Sequence, residues 1–80
     1  LQMLNLAGTK ITDAGLVHLK GLNNLTNLSL TVTKVTDAGL VHLKGLTKLE
    51  MLDLDATKVT DAGVKELQQA LPKCQVHFRQ

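Results

Sequence analysis

Apolar residues recur along this chain in two alternating patterns, one with a period of two and one with helical spacing. In the first pattern, Leu4 and Leu6 flank a polar Asn5, which is typical of a short strand with one buried face. The second pattern is formed in its first occurrence by Ile11, Leu16, Leu19 and Leu22. A strand followed by a helix, repeated along the chain, predicts an α/β fold.

The two patterns repeat with a fixed period. Residues 10–22 read KITDAGLVHLKGL and residues 34–46 read KVTDAGLVHLKGL, so the copies begin 34 − 10 = 24 residues apart and differ only at Ile11 and Val35. A third copy begins KVTDAG at Lys58. Self-similarity at such a period predicts stacked units that share one core. We therefore predict a single domain, residues 1–80, with repeats 1–24, 25–48 and 49–72.

The end of the chain predicts a fourth strand. Val76 and Phe78 lie one period after the alternating leucines of the third repeat, so residues 73–80 are predicted to be a C-terminal capping strand whose Phe78 covers the last core layer. Pro72 is expected to end the preceding helix. The first repeat has no comparable cover, so we expect an open strand edge there and interpret the chain as the C-terminal part of a longer array.

Each helix is expected to begin at a Thr-Asp pair. The hydroxyl of Thr12 is placed to accept a hydrogen bond from an early helical amide, and Asp13 lies where the helix dipole favours negative charge. Gly21 is expected to cap the helix end. Close packing of helix on strand is the expected reason for a glycine in each first helical turn, at Gly15, Gly39 and Gly63.

The repeat, written LxxLxLxxTx[IV]TDAGLxxLxxL, resembles the leucine-rich repeat, and its TDAGL segment is similar to the cysteine-containing and related bacterial subclasses. The resemblance covers essentially the whole chain. It implies a right-handed α/β solenoid with a short parallel sheet on the concave side, helices on the convex side and a role in recognising proteins. The chain departs from the family pattern by carrying Thr9, Thr33 and Thr57 in place of Asn or Cys. Each of these hydroxyls is expected to bond loop backbone.

Composition and charge narrow the classes of partner. A net charge of +2 is too mild for the concentrated basic patches that bind nucleic acid. No apolar run approaches the roughly 20 residues that span a bilayer. Neither nucleic acid nor a membrane is therefore expected as a partner. A single cysteine, Cys74, excludes an internal disulfide and leaves the cellular compartment open.

The concave face is the predicted partner-binding surface. Asp53 is expected beside His77, and Asp55 beside Arg79, on strands about 4.8 Å apart. These side chains either hold the last strand in register, at about 0.2–1 kcal/mol per pair, or contact a partner. The residues predicted to bind a protein partner are Asn27, Ser29, Met51, Asp53, Asp55, Gln75, His77 and Arg79.

No catalytic, metal or cofactor site is expected. The chain does contain a nucleophile, a base and a carboxylate, at Cys74, His77 and Asp53. However, residues three apart on a strand point to different faces, so the His77 side chain cannot form the hydrogen bond to the Cys74 thiol that catalysis requires. A metal ion needs three or four convergent ligands with supporting contacts. The remaining candidates lie one period apart on separate helices, at His18, His42 and Glu66.

We therefore predict a non-enzymatic protein–protein interaction module. Two alternatives stay open. The near-identity of the first two repeats also suits a structural spacer or an engineered, consensus-like array with no ligand of its own. The uncapped N-terminal edge strand also suits self-association with a second copy.

Overall fold

A computed structural model describes residues 2–79 of the chain. Four parallel strands form one sheet in the order β1-β2-β3-β4. The strands are β1 Gln2–Asn5, β2 Leu25–Ser29, β3 Met51–Asp53 and β4 Gln75–His77. The helices between them are α1 Asp13–Leu16, α2 Asp37–Leu40 and α3 Asp61–Ala70, and 3-10 turns at Val17–Leu19 and Val41–Leu43 continue the first two.

Neighbouring strands pair one repeat apart. Leu4 pairs with Leu28, Leu28 with Leu52, and Leu52 with Val76. The alternation of apolar and polar residues therefore places the same face of every strand toward the helices. The fourth strand exists, but it is confined to the middle of the predicted segment. It stays a prediction that residues 73–80 cap the domain. The division of the chain into three repeats also stays a prediction.

The core is one cluster of aliphatic side chains between the sheet and the helices. Burying each such side chain contributes about 1.5–3 kcal/mol, so the cluster is the main source of stability. The largest fully buried side chains are Leu16, Leu25, Leu30, Leu43, Leu46, Leu52, Leu54, Leu67, Val35 and Val59.

The two ends of this core are less well covered than its middle. Leu4 is only half-buried, whereas its equivalent Leu52 is fully buried. Leu22 is 38% exposed, whereas its equivalent Leu46 is 0% exposed. At the other end Phe78 is half-buried and packs against the cluster. The described residues thus leave the first repeat uncovered on its outer side, as the sequence predicts.

The last helix is longer than the others. α3 ends at Ala70, and Leu71 is buried in the position that follows. Pro72 then stops the helix because it has no N–H to donate and its ring clashes with the preceding turn. The predicted helix end before Pro72 is confirmed.

The turn after each strand contains one residue in the left-handed region. The backbone φ is 72° at Gly8, 57° at Val32 and 58° at Ala56. Gly21 and Gly45 lie just beyond the helix ends, but neither adopts the left-handed conformation that is typical of a C-cap glycine. The tight 3-10 turns that precede these glycines close the helix instead.

Threonine hydroxyls tie these turns to the strands. Thr9, Thr33 and Thr57 each donate to the carbonyl oxygen three residues earlier, at 2.7, 2.7 and 2.8 Å. The expected bond to loop backbone is confirmed. These side chains therefore satisfy carbonyl groups that the short strands leave without a ladder partner.

Candidate functional site

The sheet face opposite the core is the candidate site, and we call it the open face. It consists of two rows that run across the four strands, because paired residues on parallel strands lie side by side. The first row is Met3, Asn27, Met51 and Gln75. The second row is Asn5, Ser29, Asp53 and His77.

The turn beyond the strands continues this surface. Ser29 and Thr31 lie on the same side, with their hydroxyl oxygens 3.3 Å apart. Backbone bonds extend the strand pairing as far as Asp55 and Arg79: the N–H of Val32 donates to Asp55 at 2.9 Å and that of Ala56 to Arg79 at 2.7 Å. The structure thus brings six of the eight predicted binding residues onto the open face and the other two to its rim.

A shallow groove crosses the N-terminal part of the open face. Met3 is 75% exposed and Met51 38% exposed, and the two flank Asn27, whose Nδ2 lies 3.8 Å from the Met51 sulfur. The residues that line the groove are Met3, Leu4, Asn5, Asn27, Leu28, Ser29, Met51 and Asp53. Met3 and Asn5 were not among the predicted binding residues, although their position one period before Asn27 and Ser29 is the signal that identifies them.

The acidic residues of the site have no cationic partner in residues 2–79. Asp53 pairs with His77 in the strand register, but the ion pair seen in this part of the chain joins Lys44 and Glu66 at 3.3 Å on the helical side. One carboxylate oxygen of Asp55 is buried and accepts no hydrogen bond from these residues. An unsatisfied buried acceptor carries a desolvation cost that a donor would remove.

The cysteine is not placed for catalysis. Cys74 is 5% exposed within the core, whereas His77 is exposed. Burial raises the pKa of the Cys74 thiol because it disfavours the thiolate. The side chain is therefore protonated at neutral pH and does not meet the histidine or Asp53.

The helical side offers no convergent ligand set in the described part of the chain, where no three His, Cys, Asp or Glu side chains approach closely enough to hold a metal ion. His18 and Glu66 are exposed, and Glu66 is engaged by Lys44. Within residues 2–79, each helix is too short or too polar to cross a bilayer.

An aspartate joins adjacent repeats on the helical side. Asp13 accepts hydrogen bonds from the N–H of Thr36 at 2.8 Å and from its hydroxyl at 2.5 Å. Asp37 accepts the same two bonds from Thr60, again at 2.8 and 2.5 Å. The position of these aspartates in the first helical turn predicts only an interaction with their own helix dipoles, so the contact with the next repeat is not expected from the sequence. The sequence carries no specific signal for it, because every pair of residues in such a repeat recurs at constant spacing.

A glycine of the next repeat makes room for each aspartate. A Cβ on Gly39 would lie 2.3 Å from Asp13 Oδ1, and a Cβ on Gly63 would lie 2.1 Å from Asp37 Oδ1. The expectation that these glycines serve packing of helix on strand is therefore wrong. We call the aspartate of one repeat, with the threonine and glycine that receive it in the next, the Asp–Thr–Gly clasp.

The comparison with known families agrees with this architecture. A sequence model of the leucine-rich repeat matches residues 1–59, and the chain belongs to the leucine-rich repeat family. The parallel sheet with helices on one side is consistent with an α/β repeat fold. No curated protein matches the chain. Leucine-rich repeat domains generally mediate protein–protein interactions and are typically non-enzymatic.

Proposed function

We propose that this chain is a non-enzymatic interaction module that binds a protein partner through the open face. In this proposal the open face is the concave side of a right-handed solenoid built from 24-residue TDAGL repeats, similar to the bacterial and cysteine-containing subclasses. The observation that carries the proposal is the pair of acidic side chains, Asp53 and Asp55, beside an exposed groove, for which residues 2–79 supply no cationic partner. The proposed partner contacts are Asn27, Ser29, Met51, Asp53, Asp55, Gln75, His77 and Arg79.

The N-terminal half of the open face suits apolar and amide groups of a partner. Met3 and Met51 are flexible and polarisable, so they adapt to an irregular surface. Asn27 and Ser29 lie beside them and offer donors and acceptors for a main chain or polar side chain. This half therefore supplies contact area, with few demands on the partner's sequence.

The C-terminal half supplies charge selectivity. A lysine or arginine of the partner would pair with the half-buried carboxylates of Asp53 and Asp55, because charge-assisted hydrogen bonds are about twice as strong as neutral ones. His77 and Arg79 are exposed next to them and would contact an acceptor on the same partner. The preferred partner segment thus carries a basic residue at this end.

The size of the sheet limits the affinity that it provides alone. Four strands about 4.8 Å apart and some five residues long cover on the order of 250 Å². A stable interface buries about 800 Å² on each partner. We therefore infer that the contact extends onto the turns at the rim or onto further repeats.

A selection experiment tests the proposal. Protein binders selected from a displayed library on the native chain are titrated against an Asp53→Asn, Asp55→Asn variant and against an Asp61→Asn, Glu66→Gln control that removes the same charge on the helical side. We expect at least a tenfold loss for the open-face variant and little change for the control. Circular dichroism verifies that both remain folded.

Other outcomes favour the alternatives. Binders that lose affinity only with the control variant would contradict the open face as the binding surface. A chain that yields no binder, under conditions where another repeat protein does, would favour a structural spacer. Concentration-dependent dimers in sedimentation would favour self-association through β1.

A further inference from the structure

We propose that a pocket beside Cys74, at the edge of the sheet where the strands begin, binds a small molecule that combines a carboxylate with an apolar body. We call it the Cys74 pocket, and its volume is about 200 Å³. It is lined by Thr47 and Leu49 from the loop before β3 and by residues 70–74 from the loop before β4. It shares no residue with the open face, so it is a site separate from the proposed partner surface.

The pocket lies where a cysteine replaces a leucine of the earlier loops. The loops before β2, β3 and β4 are each closed by a backbone hydrogen bond from an N–H to the carbonyl oxygen three residues earlier. These bonds run from Leu25 to Leu22 at 3.1 Å, from Leu49 to Leu46 at 3.0 Å and from Cys74 to Leu71 at 3.0 Å. Cys74 thus holds the structural position of Leu49, although the repeat period aligns Leu49 with Lys73. Its smaller side chain leaves space that a leucine would fill.

The inner wall of the pocket is apolar. Leu49, Leu71 and Cys74 are buried there, and Ala70 and Pro72 complete the wall. A dry apolar cavity of about 150 Å³ is large enough to bind benzene. The Cys74 pocket therefore has room for an aromatic ring or a short acyl chain with a few additional atoms.

The mouth of the pocket carries two hydrogen-bond donors. Lys73 and Thr47 line the pocket and are exposed to solvent, so an ammonium and a hydroxyl lie next to the apolar wall. Lys48 holds the equivalent position in the preceding loop, but its ammonium donates to Asn24 Oδ1 at 3.3 Å. A carboxylate accepts hydrogen bonds from both an ammonium and a hydroxyl. The two donors of the mouth thus suit the anionic end of a ligand.

The charge of this edge also favours an anion. The loops before β2, β3 and β4 contain four lysines and one acid, a balance of 4 − 1 = +3. These residues are Lys20, Lys44, Lys48, Lys73 and Glu50. Lys44 is paired with Glu66 of α3, whereas Lys73 forms no ion pair within residues 2–79, with Glu50 or any other acid. Its ammonium is therefore available to a ligand.

The test titrates small molecules against the intact chain at low salt. Phenylacetate and octanoate are the two carboxylate probes, one with an aromatic body and one with an acyl body, and 2-phenylethanol is the neutral probe. We expect both carboxylates to shift the amide resonances of residues 47–49 and 70–75, with dissociation constants of about 1 mM or lower. The alcohol should bind about two- to fivefold more weakly than phenylacetate, the ratio that an exposed ion pair provides.

Two substitutions separate the apolar wall from the charged mouth. Cys74→Leu fills the pocket, so it should weaken all three probes by about tenfold or more and raise the melting temperature by about 2–8 °C. Lys73→Gln should weaken both carboxylates by about two- to fivefold and leave the alcohol unchanged. Lys48→Gln, the matched control in the preceding loop, should change none of the three affinities.

Alkylation of Cys74 by iodoacetamide gives a readout that requires no variant. Phenylacetate at about ten times its dissociation constant should slow the reaction about tenfold, because the ligand occupies the pocket from which the thiol is reached. This measurement and Lys73→Gln decide the question if Cys74→Leu does not fold.

Four results would overturn the proposal. They are amide shifts that are absent from residues 47–49 and 70–75 with both carboxylates, a folded Cys74→Leu variant that binds as tightly as the native chain, equal losses for Lys48→Gln and Lys73→Gln, and an unchanged rate of alkylation.

Discussion

The carboxylate of Asp13 receives both the backbone N–H and the hydroxyl of Thr36, across the boundary between two repeats. Strand pairing in the sheet fixes the relative position of adjacent repeats on one side of the core. The hydrogen bonds between Asp13 and Thr36 fix it on the helical side. Thr36 also accepts a hydrogen bond from the N–H of Ala38 at 3.3 Å. One threonine thus starts its own helix and anchors that helix to the preceding repeat.

The first prediction concerns the aspartate of the clasp. Asp13→Ala should lower the free energy of unfolding by about 2 kcal/mol, because it removes two hydrogen bonds to a charged group and leaves a partly buried N–H unsatisfied. Asp61 holds the same helical position but has no such contact in the described residues. Asp61→Ala should therefore lower the free energy of unfolding by only about 0.5 kcal/mol, through loss of its interaction with the helix dipole. Urea denaturation measures both, and equal costs would count against the clasp.

The second prediction concerns the glycine that makes room for the aspartate. Gly39→Ala should destabilise the chain by about 2 kcal/mol, because its Cβ would lie 2.3 Å from Asp13 Oδ1. Gly45→Ala, where nothing lies within 4 Å of the added Cβ, should be neutral or stabilising by about 0.5 kcal/mol.

A double-mutant cycle checks the physical cause. In the Asp13→Ala background the cost of Gly39→Ala should fall well below 2 kcal/mol, because the oxygen that the methyl group displaces is gone. Strict additivity of the two substitutions would show that the glycine serves another purpose.

The third prediction concerns the strained turn at Val32. Its φ of 57° is unfavourable for a β-branched residue, because this region costs a residue with a Cβ about 1–2 kcal/mol. Val32→Gly should therefore stabilise the chain by about 0.5–1 kcal/mol, after allowance for the greater freedom of glycine in the unfolded state.

A second exposed valine provides the control. Val41 is 56% exposed, close to the 59% of Val32, but it has helical backbone angles with φ of −55°. Val41→Gly should destabilise by about 0.5–1 kcal/mol. Thermal unfolding measures the change in stability for each substitution. If both substitutions destabilised the chain, backbone strain at Val32 would be excluded.

The fourth prediction is a pH dependence that arises from Cys74. Burial raises the pKa of this thiol in the folded chain, so its contribution to stability is complete below the unfolded pKa of about 8.5. It is lost as the pH rises through that value toward the folded pKa.

Comparison with Cys74→Ala isolates this effect. Between about pH 8 and about pH 10, the native chain should lose more stability than the variant, by up to about 1.4 kcal/mol per pH unit. Urea denaturation across this range measures the difference. Parallel pH profiles for the two proteins would mean that the thiol ionises equally well when folded.

The repeat made much of the fold predictable. A fixed period determines the strand pairing once one strand is placed, so Leu52 predicts the pairing of Val76. The alternation of apolar and polar residues also predicted which side chains form the open face. Both inferences depend on backbone periodicity, which a sequence displays directly.

Contacts between side chains of different repeats were harder to predict. An aspartate in a first helical turn is already explained by its own helix dipole, so nothing in the sequence required a bond from Asp13 to Thr36. Likewise, strand register placed Asp53 next to His77, but proximity of two Cα atoms does not ensure an ion pair, because exposed side chains gain little from pairing.

The most direct test of the proposed function is to map a bound partner on the chain by NMR. Amide chemical shifts are compared with and without a binder selected on the native protein. The account predicts that the largest changes fall on β2, β3 and β4, above all at Asn27, Ser29, Met51, Asp53, Gln75 and His77, with α1, α2 and α3 little affected. Changes concentrated on the helices, with the sheet unaffected, would contradict it.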